Sequence, residues 1–349
     1  MRRQLIMSKV NRKLSAFALS LAISCGVGIL PNAAGATATQ PILPTQKHNH
    51  DVSVPVGAST STIQSAINSA SSAGGGTVTL ASGEYTITAP LVLKSNVTLN
   101  GAGKNSTVLK RNAGTNLGAN GVLTTSTSGG VVNVIVTNLG IDGNSFIDPD
   151  TDPDHDSITN YGALIQGPDT SNDKILFDNF KVKNSTMGLH IKGSTNVTIQ
   201  NSDFNNNGGS YLYWHNMYLR RVSKVLVKNN VMSYSSSGNG LNISYSDNVT
   251  IDSNSVYNNY FRGIRVADSS YIDTVNNNVH DNKSGDGIIY NSESTGVTNF
   301  KINSNTVKNN GGYGILVNSS SSNGEVKNNI DDGGNASGFK KIDGSNVTQ

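Results

Sequence analysis

Cysteine is almost absent: the chain of 349 residues holds one, Cys25. No intrachain disulfide can form, and past residue 38 there is neither a thiol nucleophile nor a thiolate metal ligand. Glutamate is nearly as scarce, with Glu84, Glu293 and Glu325 only, a poor supply for a hydrolase that needs two facing carboxylates. Aromatic residues make up 6% and charged residues 14% of the chain. Asn, Ser, Gly and Thr take the vacated share. Such a composition taken alone reads as disorder, but Val, Ile and Leu recur in it at regular spacing and exclude that reading.

Charge needs the same care. Arg2, Arg3, Lys9, Arg12 and Lys13 precede an apolar stretch over 14–30, and Ala36-Thr37-Ala38 has the small-x-small form of a cleavage site. This predicts a secretory signal peptide over 1–38. The stretch is short for a membrane span and no second one follows it, so an extracellular protein, free of the membrane after cleavage, is expected. Five of the 26 Lys and Arg leave with the signal, against 23 Asp and Glu that stay, for a net charge of about −2. Nucleic acid is therefore not an expected partner, and any anion site must be a local cluster. Residues 39–58, with Pro41, Pro44 and Pro55, are expected as a linker. Residues 59–349 suffice for one elongated domain, expected as a monomer.

Repetition organises that domain. Asn196–Asn207 resembles Asn248–Asn259, and further copies begin at Lys224, Asp273 and Lys301. The apolar markers Phe204, Val231, Val256, Val279 and Val307 lie 27, 25, 23 and 28 residues apart. Each copy alternates apolar and polar residues, as a strand does, and ends in an Asn-rich corner suited to left-handed φ. A second, Gly-marked strand follows in each: Met187–Lys192, His215–Arg220, Asn239–Ser244, Arg262–Ala267, Asp286–Asn291 and Tyr313–Asn318, with Tyr161–Gln166 one coil earlier. Several short strands per period of this length predict an all-β solenoid, the right-handed parallel β-helix, and exclude a propeller, whose blade needs about 40 residues. Asn201, Asn229 or Asn230, Asn254, Asn277 and Asn305 are expected to stack as a side-chain ladder. An open end would be a strand edge prone to pairing; Ile63, Ala66, Ile67 and Ala70 recur at helical spacing, and predict a capping helix from Thr62 to Ser72 that stops at Gly74-Gly75-Gly76.

Ile63-Gln64, Ala66-Ile67, the Gly run, Gly83-x-Tyr85 and Asn96–Gly103 together resemble the start of pectate-lyase-like β-helix proteins. With the later repeats, the resemblance covers nearly all of the chain past the leader.

Strand alternation turns the repeat into geometry. With Leu189 and Ile191 inward, two outward columns follow: Leu164, His190, Tyr218, Asn242, Arg265, Ile289, and Gln166, Lys192, Arg220, Ser244, Ala267, Asn291. At about 4.8 Å between coils, these columns, with Tyr161, His215, Asn239, Arg262 and Asp286 at the strand start, place His190, His215, Tyr218, Arg220 and Arg265 in one patch as candidate catalytic residues. Lys192, Arg262, Tyr161, Asn242 and Arg221 are candidate substrate contacts. A cationic, aromatic strip on a slightly anionic solenoid suits a linear acidic polysaccharide, whose carboxylates arginine and lysine bind well. Two reactions use such a set: β-elimination and C5-epimerisation of a uronate. Both remove the proton beside the carboxylate and need a cation there to hold the charge that builds. His215 or His190 is expected as the base and Tyr218 as the acid. The set is similar to that of polysaccharide lyases and mannuronan C5-epimerases of this fold. It departs from the epimerases' Asp-Pro-His motif, whose nearest counterpart is Asp152-Pro153-Asp154-His155 in a loop. Asp148, Asp150, Asp152 and Asp154, oxygen donors at alternate positions, suit Ca²⁺, without the Gly and final Glu of an EF-hand; no organic cofactor is expected. The competing readings are a glycoside hydrolase using Asp247, Asp268 or Asp286, and a carbohydrate-binding or adhesive surface without catalysis.

Overall fold

The computed structural model describes residues 37–144, 160–169 and 171–349. The signal peptide and the acidic loop expected over 148–156 lie outside them, but for Thr37 and Ala38. Within them the chain is a parallel β-helix, right-handed as parallel crossovers are. Strands join into a ten-stranded sheet and a larger one of twenty strands. The ten-stranded sheet runs Leu91–Val92, Gly121–Thr124, Tyr161–Ile165, Leu189–Lys192, Met217–Arg220, Leu241–Ser244, Ile264–Ala267, Ile288–Asn291, Tyr313–Val317 and Gly338–Ile342. No proline follows Pro168, so every later strand can donate all its amides to the coil beside it.

The core is one continuous column. Leu189, Ile191, Met217, Leu219, Leu241, Ile243, Ile264 and Val266 from the ten-stranded sheet face Ile199, Val227, Ile251 and Ile302 from the other, all fully buried. Each such side chain contributes about 1.5–3 kcal/mol on leaving water. The helix Thr60–Ser72 covers the first coils, burying Ile63, Ala66, Ile67 and Ala70, with Ser59 as its N-cap.

Corners are set by residues in the left-handed region. Gly193, Arg221, Tyr245 and Asp268, each one residue past a strand of the ten-stranded sheet, have φ of 64, 52, 53 and 46°. The asparagine ladder differs at its start from the expected one. It runs Asn230, Asn254, Asn277, Asn305, Asn329, each amide donating to the next Oδ1 at 2.9–3.0 Å. Asn201 is exposed at a left-handed corner, and Ser202 stands at the ladder position, its N–H donating to Asn230. A second ladder, not evident in the sequence, links Asn259, Asn282, Asn310 and Asn335. Asn216 joins it from another part of its coil by donating to Asn259.

The stretch expected as a linker is laid along the solenoid. The backbone amides of Ala38, Thr39, Ile42 and Thr45 donate in turn to Asp273, Asn248, Asn196 and Asn133, progressing along the stack of coils toward the capped end. Val52–Val54 then pairs with Val78–Leu80 as a parallel strand. Among the described residues, no helix is long and apolar enough to cross a membrane.

Candidate active site

The two outward columns stack in register. His190 lies opposite Leu164 and Tyr218, Tyr218 opposite Asn242, Asn242 opposite Arg265, and Arg265 opposite Ile289. Lys192, Arg220, Ser244, Ala267 and Asn291 form the neighbouring column. Over them opens a cleft of about 650 Å³ lined by Tyr161, His190, Leu212, Tyr213, His215, Tyr218, Arg220, Asn239, Asn242, Phe261, Arg262, Arg265, Asn291 and Glu293. That volume is in the range of ligand sites.

Eight of the ten candidate contact and catalytic residues thus line one cleft. Lys192 and Arg221 do not. Lys192 is half-buried at the cleft edge beside Arg220. Arg221 follows the strand by one residue; its left-handed φ turns it out of the column, and it pairs with Asp169 at 3.7 Å. Leu212, Tyr213, Phe261 and Glu293 are lining residues that the columns did not predict, because they sit on loops. Leu212 and Tyr213 are exposed on a loop anchored by the buried Trp214.

His215 is nearly enclosed, 4% exposed. Its Nδ1 accepts the backbone N–H of Asn239 at 3.0 Å. With Nδ1 an acceptor, the neutral ring carries its hydrogen on Nε2, an assignment read from the hydrogen bond. Burial, then the positive charges of Arg265, His190 and Arg262, hold its pKa down at about 3. The sequence reading made a histidine the base; in the free protein this ring is neutral, with its hydrogen on Nε2. His190 sits between aromatic neighbours, its ring 4.7 Å from that of Tyr218 at 13° and 5.8 Å from that of Tyr161. Both its ring nitrogens are buried without a partner, and burial, then Lys192 and Arg220, lower its pKa to about 3. It stacks on Tyr218 and forms part of the cleft wall.

Tyr218 presents its ring edge-on to His215, centroids 5.7 Å apart, and its hydroxyl shares a hydrogen bond of 2.8 Å with Ser244 Oγ. Arg265 spans the floor: Nη1 donates to Asn242 Oδ1 at 3.2 Å and Nη2 to Glu293 Oε1 at 2.8 Å. Arg262 stacks its guanidinium 3.9 Å above the Phe261 ring; burial and the like charge of Arg265 lower its pKa. Arg220 lies 5.6 Å over the Tyr245 ring.

Glu293 is the one carboxylate lining the cleft among the described residues. Asp268 faces a loop, taking the N–H groups of Glu293, Ser294, Thr295 and Gly296. Asp286 accepts from Tyr313 N–H, and Asp247 from Ser223 Oγ. The facing carboxylates of a glycosidase are not assembled by these residues. Among the described residues no group of three or more His, Cys, Asp or Glu is placed to hold a metal ion; Asp148, Asp150, Asp152 and Asp154 lie outside them.

Residues 161–331 match the family model described as right handed beta helix region. Mannuronan C5-epimerase AlgE3 of Azotobacter vinelandii is 29% identical over 227 residues, 61% of this chain. Alginate lyase 7 of the same organism is 30% identical over 158 residues, 43% of this chain. The matches span only 12% and 18% of those two proteins' own lengths. Among solved structures, the A-module of Azotobacter vinelandii mannuronan C-5 epimerase AlgE4 superposes with a TM-score of 0.56 at 21% identity, covering 84% of this chain and 96% of that one.

Proposed function

We propose that this right-handed parallel β-helix protein, similar in sequence to mannuronan C5-epimerases and an alginate lyase, acts on an acidic, uronate-containing polysaccharide of the alginate type by removing the proton at C5. It works outside the cytoplasm, its basic and then apolar leader being an export signal. One observation carries the reading. The Tyr218 hydroxyl, the His215 ring and the guanidinium groups of Arg265, Arg262 and Arg220 converge on one cleft, from segments of the chain nearly fifty residues apart.

In this reading Arg265 and Arg262 receive the substrate carboxylate and hold the negative charge that builds on it as the C5–H bond breaks. The Tyr218 oxygen, hydrogen-bonded to Ser244 Oγ, takes the C5 proton as its own hydroxyl proton passes to Ser244 and on to solvent. His215 Nε2–H is the donor. Its proton goes to C5 from the opposite face, which inverts the centre, or to the glycosidic oxygen. In the second case the electron pair left at C5 closes a C4–C5 double bond while the C4–O bond breaks, its electrons leaving with the glycosidic oxygen that the proton caps. A neutral imidazole gives up a proton only where strong negative charge awaits it, as in either product-forming step. The acidic run Asp148, Asp150, Asp152, Asp154 is proposed to bind Ca²⁺, which calcium titration of the apo protein checks.

The test is incubation of the purified protein with polymannuronate and polygalacturonate in D₂O. New absorbance near 235 nm identifies elimination. Deuterium at C5 without that absorbance identifies epimerisation. Neither signal on any polyuronate, with binding intact, returns the cleft to a non-catalytic carbohydrate site.

A further inference from the structure

Arg265 is already neutralised in the free protein, and the way its partner is held has a consequence for ligand choice. The Arg265 side chain is 11% exposed and the Glu293 side chain 48%, so the pair joins a fixed cation in the cleft wall to a carboxylate reaching in from solvent. The second Glu293 oxygen accepts the Tyr245 hydroxyl at 3.0 Å. The backbone beneath Glu293 is pinned. Asp268 collects four successive backbone N–H groups, from Glu293 to Gly296. Burial alone would raise the pKa of this carboxylate, but those amides hold it at about 2. The loop therefore stays put while the side chain, attached through flexible methylenes, is free to swing.

We infer that Glu293 is a displaceable counter-anion: it occupies, in the free protein, the place on Arg265 that a substrate carboxylate takes, so that an acidic polymer binds by exchanging with it. This rests on the proposed function above. The Glu293 carboxylate is half-exposed and its pairing correspondingly weak, so a carboxylate held in position by a polymer bound at several coils displaces it. A neutral polymer has nothing to offer Arg265. It leaves Glu293 projecting into the cleft, or strands two charges if it pushes the side chain aside. Of the chain's three glutamates, this is the one that the tertiary structure brings to the cationic cleft.

The experiment measures binding of a short oligomannuronate, and of a neutral manno-oligosaccharide of equal length, to the wild type, Glu293→Gln and Glu293→Asp by titration calorimetry. Aspartate keeps the charge but is one methylene too short to reach Arg265. The expected result is that both variants bind the oligomannuronate about three- to tenfold more tightly than the wild type, while the neutral oligosaccharide gains less, so the acidic-over-neutral preference rises. Tighter binding by Glu293→Gln alone would mean that charge at a distance, not occupancy of Arg265, is responsible, and overturns the inference. Unchanged or weaker binding by both variants also overturns it and leaves the reading of the cleft standing. Failure of all three proteins to bind the oligomannuronate removes that reading, and the inference with it.

Discussion

The backbone amide of Asn239 donates to Nδ1 of His215 at 3.0 Å, and this contact between successive coils fixes which ring nitrogen carries the hydrogen. It leaves Nε2 as the nitrogen that carries the proton, while burial and the neighbouring cations keep the ring neutral until about pH 3.

Turnover is accordingly expected to show no inflection near 6.5 arising from this ring, the pH at which an ordinary histidine titrates. His215→Ala is expected to lose about a hundredfold or more in kcat. A kcat profile from pH 4 to 9 checks the first statement. A limb near 6.5 that disappears in the variant would mean that His215 cycles through its charged form, as a base.

Tyr218→Phe keeps the ring that stacks on His190 and removes only the hydroxyl bonded to Ser244. The expected loss is about 10²- to 10⁴-fold in kcat, with KM within about threefold because the arginines remain. Steady-state kinetics on polyuronate separates the two parameters. An unaltered kcat removes Tyr218 from the proton transfer.

Stability has a sign fixed by the same burial. His190 and His215 have folded pKa values near 3 against about 6.5 in an unfolded chain. Between those values the unfolded state binds the extra protons, so stability falls as pH drops from about 6.5 toward 3. His190→Gln takes away one of the two contributions. Its melting temperature should decline less steeply between pH 7 and 4, by at least about 2 °C over that interval. Differential scanning fluorimetry across that range suffices, and identical slopes would show that His190 does not contribute.

The asparagine ladder is expected to separate two residues that look alike in sequence. Asn254 donates to Val227 O and Asn277 Oδ1, and its own Oδ1 accepts two N–H groups of Asn230. Asn254→Ala leaves those groups buried and unpaired, at about 2–4 kcal/mol. Asn201→Ala, at an exposed corner with left-handed φ, should cost only about 1 kcal/mol. Denaturant unfolding of the two variants reads the difference.

Gly238 is required by the histidine packed against it. A Cβ there would fall 2.4 Å from His215 Nδ1 and 2.3 Å from Trp214 O. Gly238→Ala should cost about 1–3 kcal/mol and lower kcat at least about tenfold by displacing the ring. Full activity in this variant would show that the position of His215 is not critical.

Much of the architecture is legible in the residue order. Alternation within each coil fixes which side chains face in, because successive residues of a strand point to opposite sides. The period of the repeat then stacks the outward ones, so His190, Tyr218, Asn242 and Arg265 are found in line. The helical spacing of Ile63, Ala66, Ile67 and Ala70 identifies the cap in the same way. These are local rules, and one stretch of sequence contains all that they need.

Corners and cross-coil hydrogen bonds obey no such rule. The left-handed φ that turns Arg221 away from the cleft, the reach of Glu293 from a loop onto Arg265, the substitution of Ser202 for an asparagine in the ladder, and the amide of Asn239 on His215 each depend on what the next coil supplies about two dozen residues away. Residue order therefore determined the solenoid and the strip of side chains along it, while the register between coils alone decided the protonation of His215, the pairing of Arg265 and the shape of the cleft, since hydrogen bonds and ion pairs are set by distances in space that a repeat pattern does not encode.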